Sequence, residues 1–141
     1  MLLSLTDLSN EPLQSQMSRQ IREKILMGDL PAGADLPSIR AMAREQSISV
    51  ITVQRAYESL EREGLIHSRR GKGFFVSELS EKTKKDMAQK RLMENLEPYI
   101  KSALAEGLTI DEINRCVGAV LKYCGRKERE VQGKRIGESR I

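Results

Sequence analysis

Residues 37–64 read PSIRAMAREQSISVITVQRAYESLEREG, a pattern of two short amphipathic helices in close succession. Ser38 is placed to cap a helix that ends near Gln46, and Ser49 to cap a second helix that runs to Glu63. Two helices joined by a turn of three or four residues are typical of a helix-turn-helix, in which they cross steeply. The apolar positions of each helix share one face, which predicts burial of Ile39, Met42, Ala43, Val53, Ala56, Tyr57 and Leu60.

Another helix precedes this pair. Pro12 suits its first position and Gly28 its C-terminal stop, since proline fixes a helical φ and glycine tolerates a positive φ. Residues 31–33, Pro-Ala-Gly, then form a turn that returns the chain toward the pair. The expected core stripe of this first helix recurs every four residues: Leu13, Met17, Ile21 and Ile25.

Two short strands follow the pair, at residues 65–67 and 74–76, and residues 69–73 form the tip between them. Residues 67–73 carry three cations and no acid, although residues 1–77 hold ten Lys/Arg and nine Asp/Glu. A hairpin placed directly after a helix-turn-helix predicts a wing. The expected fold class is mainly α with a small β-hairpin: an N-terminal winged helix-turn-helix followed by two C-terminal dimerisation helices. The lone His67 on the hairpin is expected to be structural.

The C-terminal half is predicted to form two amphipathic helices. Pro98 lies inside the first, which predicts a kink or a helix boundary there. Thr109 and Glu112 match a capping box at the start of the second helix, which we expect to end near Gly125. The expected organisation is a DNA-binding domain at 1–77, a two-helix dimerisation segment at 78–125 and a charged, flexible tail at 126–141.

Two helices of this length cannot form a satisfactory core by themselves, so their apolar faces require another surface. Packing against a second copy in a two-fold dimer is favoured. The alternative is a monomer in which they fold back onto the winged domain. The residues expected at the dimer contact are Leu92, Leu96, Ile100, Leu104, Ile113, Val117, Val120 and Leu121.

Composition narrows the function classes. With two Phe, three Tyr and no Trp, the 141-residue chain lacks the rings that a platform for single-stranded nucleic acid requires. Cys116 and Cys124 without a neighbouring histidine cannot complete a zinc site, so reduced, buried thiols are expected, with no metal and no cofactor. No nucleophile–base spacing or glycine-rich phosphate loop indicates an enzyme. No secretion signal or apolar span is evident, which predicts a cytoplasmic protein without membrane contact.

A series of motifs stands in order along residues 12–77: PL at 12–13, ILMG at 25–28, PAG at 31–33, LPSIR at 36–40, TVQRAY at 52–57, LEREGLI at 60–66 and RGKGFFV at 70–76. This series resembles the GntR family of bacterial transcriptional regulators, and the short C-terminal segment resembles its YtrA-type branch. The resemblance implies a regulator, most simply a repressor, that binds an inverted repeat in double-stranded DNA as a homodimer. Activation remains an alternative. A small-molecule effector would bind between the C-terminal helices or at their junction with the winged domain.

Two positions depart from the family pattern. Gln46-Ser47 stands where Leu-Gly is usual, and a positive φ at Ser47 would cost up to about 1 kcal/mol. Val50-Ile51 stands where Arg-Asn is common, which removes a cation expected to touch guanine. This second departure affects the choice of operator sequence more than DNA binding itself.

The family arrangement places the helix that begins after Ser49 in the major groove, and the hairpin tip in a narrow minor groove. A phosphate would lie beside Ser49 and Thr52 at the helix N-terminus, and Gln54 would pair with adenine. We hypothesise that Ile51 touches a thymine methyl, while Val50 lies nearer the core. The predicted DNA-binding residues are Ser38, Arg40, Ser49, Val50, Ile51, Thr52, Gln54, Arg69, Arg70, Gly71 and Lys72.

Two other functions fit a winged helix: contact with another protein, and architectural DNA binding without an operator. Sequence-specific protection of an inverted repeat would separate the regulator from both.

Overall fold

The computed structural model describes the backbone of residues 1–139 and the side chains of residues 1–133. The helices are α1 (Leu13–Leu26), α2 (Ile39–Gln46), α3 (Val50–Arg62), α4 (Glu81–Ala105) and α5 (Ile110–Ser139). The strands are β1 (Asp35–Leu36), β2 (Ile66–Arg69) and β3 (Gly73–Val76). The chain divides into two compact units after Ala88. Among the described residues, none of the helices combines the length and the apolar character needed to cross a membrane.

The core of the first unit combines the predicted helical stripes with four residues from the strands and their flanks: Leu36, Leu65, Ile66 and Val76. Leu13 and Ile39 are only partly buried, because they lie at the first positions of α1 and α2. The predicted residues that are fully enclosed are Met17, Ile21, Ile25, Met42, Ala43, Val53, Ala56, Tyr57 and Leu60. The helical spacing in the sequence therefore identified the correct face of each of the first three helices.

The turn between α2 and α3 requires a left-handed residue. Ser47 has φ +56° and ψ +45°, and the N–H of Ile48 donates to the carbonyl of Ala43 over 3.0 Å, as in a Schellman motif. Ser47 therefore has the positive φ that was considered for it. Glycine would adopt this conformation without strain, whereas serine carries a Cβ that makes it unfavourable.

The predicted hairpin is confirmed, but it belongs to a three-stranded antiparallel sheet in the order β1-β3-β2. Ile66 pairs with Val76 and Arg69 with Gly73 across the hairpin, while Asp35 pairs with Phe75 at the other edge of β3. The sequence did not indicate β1, because a two-residue strand is too short to show a period-two pattern.

An extended N-terminal segment, residues 1–6, is a second feature that the sequence did not predict. The side-chain amide of Gln16 bonds both the N–H and the carbonyl of Thr6, and the amide of Gln20 does the same for Ser4. Two glutamines on α1 therefore supply the backbone of this segment with the partners that a neighbouring strand would give. Its alternate residues Met1, Leu3 and Leu5 pack against the core.

The boundaries in the C-terminal half differ from those expected. Leu79 and Met87 pack against the core of the first unit, so this unit extends to Ala88 rather than to residue 77. Pro98 lies inside α4, so the alternative of a helix boundary at this residue is wrong.

The capping box predicted at Thr109 and Glu112 is confirmed. The N–H of Thr109 donates to Glu112 Oε1 over 3.0 Å, and the N–H of Glu112 donates to Thr109 Oγ1 over 3.1 Å. The hydrogen bond from the backbone N–H of Thr109, with a smaller contribution from the Thr109 side chain, lowers the pKa of the Glu112 carboxyl.

The helix end expected near Gly125 is also wrong, because α5 continues to Ser139. Residues 126–132 read RKEREVQ and consist mainly of strong helix formers, which outweigh the cost of the glycine at position 125. The part of the predicted tail from 126 to 139 is therefore helical. Arg140 and Ile141 lie outside the described residues.

Candidate nucleic-acid interface

The N-terminal turn of α3 is built around Ser49. Its Oγ accepts the backbone N–H of Thr52 over 3.1 Å and lies 2.7 Å from Thr52 Oγ1. The first N–H groups of a helix have no intrahelical acceptor, and they give this end a partial positive charge. Such a terminus is suited to a phosphate oxygen, and both hydroxyl groups lie beside it.

Val50 and Ile51 occupy the first two positions of α3, and both are solvent-exposed, at 45% and 61%. Val50 is the less exposed of the two, as expected, but neither side chain fills the core of the first unit. Both branched side chains leave apolar surface in contact with water, and a contact with another molecule would bury it. Apolar contact with a thymine methyl is chemistry that such side chains can perform in a major groove.

One exposed stripe continues along α3 on the face opposite the core residues. Ile51, Gln54, Arg55 and Glu58 all lie on it, at the spacing of three and four residues that places side chains on one helical face. Gln54 Nε2 donates a hydrogen bond of 3.1 Å to Glu58 Oε1. The site prediction included Ile51 and Gln54 but missed Arg55 and Glu58. Their spacing of four residues from Ile51 and Gln54 was the signal that could have found them.

The N-terminus of α2 presents Ser38 and Arg40. Ser38 Oγ accepts the N–H of Ala41 over 3.1 Å, which makes it the helix cap. Arg40 is exposed in the second position of the helix. The helix therefore presents a cation near a terminus that already favours anions.

The tip of the wing is a tight turn. The N–H of Lys72 donates to the carbonyl of Arg69 over 2.9 Å, and Gly71 has φ +75°, as the third residue of a type II turn requires. The predicted tip residues Arg70, Gly71 and Lys72 are all exposed. The wing therefore presents two cations on a loop whose glycine leaves the backbone accessible.

Arg69 differs from the other wing cations because it is held against the sheet. Its guanidinium carbon lies 4.8 Å from the centroid of the Phe75 ring, a cation–π arrangement. His67 also stacks on Phe75, with ring centroids 6.0 Å apart, and its Nδ1 lies 3.2 Å from Ser77 Oγ. These contacts give His67 a role in packing the outer face of the sheet.

Tyr57 and Glu61 link α3 to the elements on either side of it. The phenol of Tyr57 donates to the carbonyl of Pro37 over 2.7 Å, and burial, with a smaller contribution from Glu45, raises the pKa of this phenol. Glu61 Oε2 accepts the N–H of Ser68 on β2 over 3.1 Å. The start of α2, the outer stripe of α3 and the wing are therefore held in one arrangement inside the first unit.

The residues predicted for dimerisation lie on α4 and α5. Ile113 is buried, while Ile100 and Val117 are half-buried. The others remain exposed in the single chain: Leu92, Leu96, Leu104, Val120 and Leu121.

The two thiols, Cys116 and Cys124, are exposed as well, so the expectation of buried thiols is wrong for the single chain. Both lie on α5, whose surface is mostly uncovered. Among the described residues, no three side chains of His, Cys, Asp or Glu come together in a group that could hold a metal ion.

A capped helix-turn-helix whose second helix bears an exposed polar stripe, followed by a basic wing, defines a winged helix-turn-helix DNA-binding protein. The chain belongs to the gntR family of bacterial regulatory proteins, whose sequence profile matches residues 13–76. Proteins of this family are transcriptional regulators that bind DNA, and they are not enzymes. The fold and the class expected from the sequence are thereby confirmed.

Relatives resemble the chain beyond the winged domain. The HTH-type transcriptional regulator YhcF of Bacillus subtilis (strain 168) is 34% identical over 74% of this chain and 86% of its own length. The HTH-type transcriptional repressor YtrA of the same strain is 29% identical over 82% of this chain and 89% of its own. The structure of YtrA from Sulfolobus acidocaldarius, a GntR-family transcription factor, superposes with a TM-score of 0.53 at 30% identity, covering 86% of this chain and 97% of that one.

Proposed function

We propose that the protein is a cytoplasmic repressor that binds an inverted-repeat operator as a homodimer. The observation that carries this proposal is the exposure of apolar side chains along α4 and α5 in the single chain, Leu92 and Leu121 among them. Burying one leucine side chain contributes about 1.5–3 kcal/mol, so several such residues provide a strong drive for association. Soluble monomers rarely leave contiguous apolar stripes uncovered.

A second copy of the chain is the partner that satisfies this face most simply. In a two-fold dimer the same patch of each subunit forms the interface. A single type of contact therefore buries each exposed residue in both subunits. The two-fold axis would also relate two recognition helices. Two such helices fit half-sites about 34–36 Å apart on one side of the duplex, which makes the expected operator an inverted repeat.

The contacts proposed for each half-site follow from exposure and chemistry. The N-terminus of α3, with Ser49 and Thr52, would hold a phosphate, while Ile51 and Gln54 face the base edges in the major groove. Arg70 and Lys72 on the wing would enter the minor groove beside Gly71. The residues proposed to complete the interface are Ser38, Arg40, Val50 and Arg69. All eleven are surface residues: Thr52 is half-buried and the others are exposed.

Repression is supported by the relative YtrA, which is named a repressor. A dimer that covers an inverted repeat at a promoter denies that DNA to the transcription machinery. A reporter driven by a promoter that contains the selected operator should therefore fall in output when the protein is produced. A rise in output would instead support activation.

Selection of duplexes from a random-sequence library, followed by footprinting, tests the operator proposal. We expect one inverted repeat to be enriched and protected by two chains per site, with an affinity that falls as salt rises. The Gln54→Ala, Arg70→Ala double variant lacks one proposed base contact and one proposed wing contact, and it should enrich the repeat less strongly than wild type does. Protection without sequence preference would favour an architectural protein. No salt-sensitive affinity for any duplex would contradict the proposal.

A further inference from the structure

Glu58 is an acidic residue in the middle of the exposed stripe of α3. A carboxylate there opposes the approach of DNA phosphates, because like charges in contact are unfavourable. Its exposure also removes any role in the core of the first unit. The contact that the structure gives it is the 3.1 Å bond that it accepts from Gln54 Nε2, one helical turn away.

The bond to Glu58 restricts the orientation of the Gln54 amide. A glutamine amide carries one acceptor oxygen and two N–H donors, and rotation by 180° exchanges their places. An ionised carboxylate only accepts, so it binds the NH₂ group and repels the amide oxygen. Glu58 therefore selects one of the two orientations. In that orientation Oε1 and the second Nε2 hydrogen remain free.

The two free groups match one base. Adenine presents the N7 acceptor and the N6 amino donor in the major groove, and a glutamine amide contacts both through one N–H and its oxygen. If both orientations of the Gln54 amide were equally populated, half of the molecules would present the NH₂ group to the adenine N6 donor, where an acceptor is needed. A fixed amide therefore discriminates between bases better than a freely rotating one.

We propose that Glu58 is a positioning residue that orients the Gln54 amide and thereby sets a preference for adenine at one position of each operator half-site. This inference rests on the proposed function, since it requires the outer stripe of α3 to face the major groove. Glu58 itself acts through Gln54 and contacts no base in this arrangement.

The test uses four operators that differ only at the base pair where Gln54→Ala loses its preference. Wild-type protein should prefer adenine there by about 5- to 150-fold, the range of a bidentate base contact. Glu58→Gln keeps the size of the side chain, but its amide both donates and accepts, so it no longer selects one orientation. We expect the preference of this variant for adenine to be smaller than that of the wild-type protein by a factor of at least about three.

Glu58→Asp is the conservative variant. A glutamine–aspartate pair four residues apart on a helix also forms a hydrogen bond, so this variant should restore most of the preference. Glu78→Gln removes an exposed carboxylate outside the stripe and should leave the preference unchanged. In the Gln54→Ala background, Glu58→Gln should cause no further loss, because the amide that it orients is absent.

Two results would overturn the role of Glu58: an adenine preference that survives Glu58→Gln, or a uniform change on all four operators. The second would reduce Glu58 to a charge effect on DNA binding. Wild-type protein without any base preference would overturn the operator proposal as well. The two failures are therefore distinguishable from the wild-type measurements alone.

Discussion

The phenol oxygen of Tyr57 lies 2.7 Å from the carbonyl oxygen of Pro37, to which it donates a hydrogen bond. Tyr57 lies on the inner face of α3, and Pro37 directly precedes the cap of α2. The same ring meets Phe74 of the wing edge-on, with centroids 5.0 Å apart. One buried side chain thus ties together the three elements that present the exposed stripe, the cap and the basic tip.

Tyr57→Phe should lower the free energy of unfolding by about 1–2 kcal/mol, because the carbonyl of Pro37 loses its donor in a partly buried place. Urea denaturation followed by circular dichroism measures this change. Tyr123→Phe removes a hydroxyl from an exposed ring and should change stability by less than about 0.5 kcal/mol. Equal stability of both variants and wild type would show that the bond to Pro37 is unimportant.

Ser47→Gly should raise the free energy of unfolding by up to about 1 kcal/mol, since glycine adopts a positive φ without the steric penalty of a Cβ. The matched control is Gly64→Ser at the end of α3, where φ is +80° and a Cβ would meet no atom within 4 Å. That variant introduces the same strain and should be destabilised by a similar amount. Thermal or urea denaturation compares them, and a less stable Ser47→Gly would contradict the argument.

Ile51→Ala tests the contact with a thymine methyl. Wild-type protein should bind an operator with thymine at one half-site position more tightly than the same operator with uracil, which lacks only the methyl group. Ile51→Ala should bind both equally. Fluorescence anisotropy with the two duplexes measures the difference, and uracil at a position outside the half-site is the control. Equal affinity of the wild-type protein for both duplexes discards the contact.

Arg70→Ala should weaken binding and reduce the slope of log affinity against log salt by about 0.9, the value for one phosphate contact. The titration is made at several salt concentrations on the selected operator. Lys82→Ala removes an exposed cation outside the wing and should leave the slope as it is. An unchanged slope for Arg70→Ala would mean that the wing tip makes no phosphate contact.

Leu121→Glu should shift the protein from dimer to monomer and weaken operator binding. The side chain is 66% exposed in the single chain, and a two-fold interface would bury it twice, so the dimer dissociation constant should rise at least about tenfold. Sedimentation equilibrium measures this constant. Lys122→Gln, at the neighbouring position, is the control for a surface change on the same helix. A monomeric wild-type protein would refute the dimer.

The helices of the first unit were predictable because their signals are local. Ser38 and Ser49 cap through bonds to residues three positions further along the chain, and the core stripes follow from the period of the helix. The positive φ of Ser47 was considered only as a condition, because the resembling family has glycine at this position, and the structure established it. The exposed pair of Gln54 and Glu58 was readable from the same spacing, although the site prediction did not use it.

Other features depend on segments far apart in the chain. The pairing of Asp35 with Phe75, the bonds that hold residues 1–6 on Gln16 and Gln20, and the exposure of Val50 all depend on which surfaces meet after folding. Hydrophobic period and capping chemistry act between neighbours within a few residues, so they specify helices and their buried faces, while the run of cations and glycines marks the tip of the hairpin. Contacts between distant segments carry no such period, and packing of the whole unit selected them.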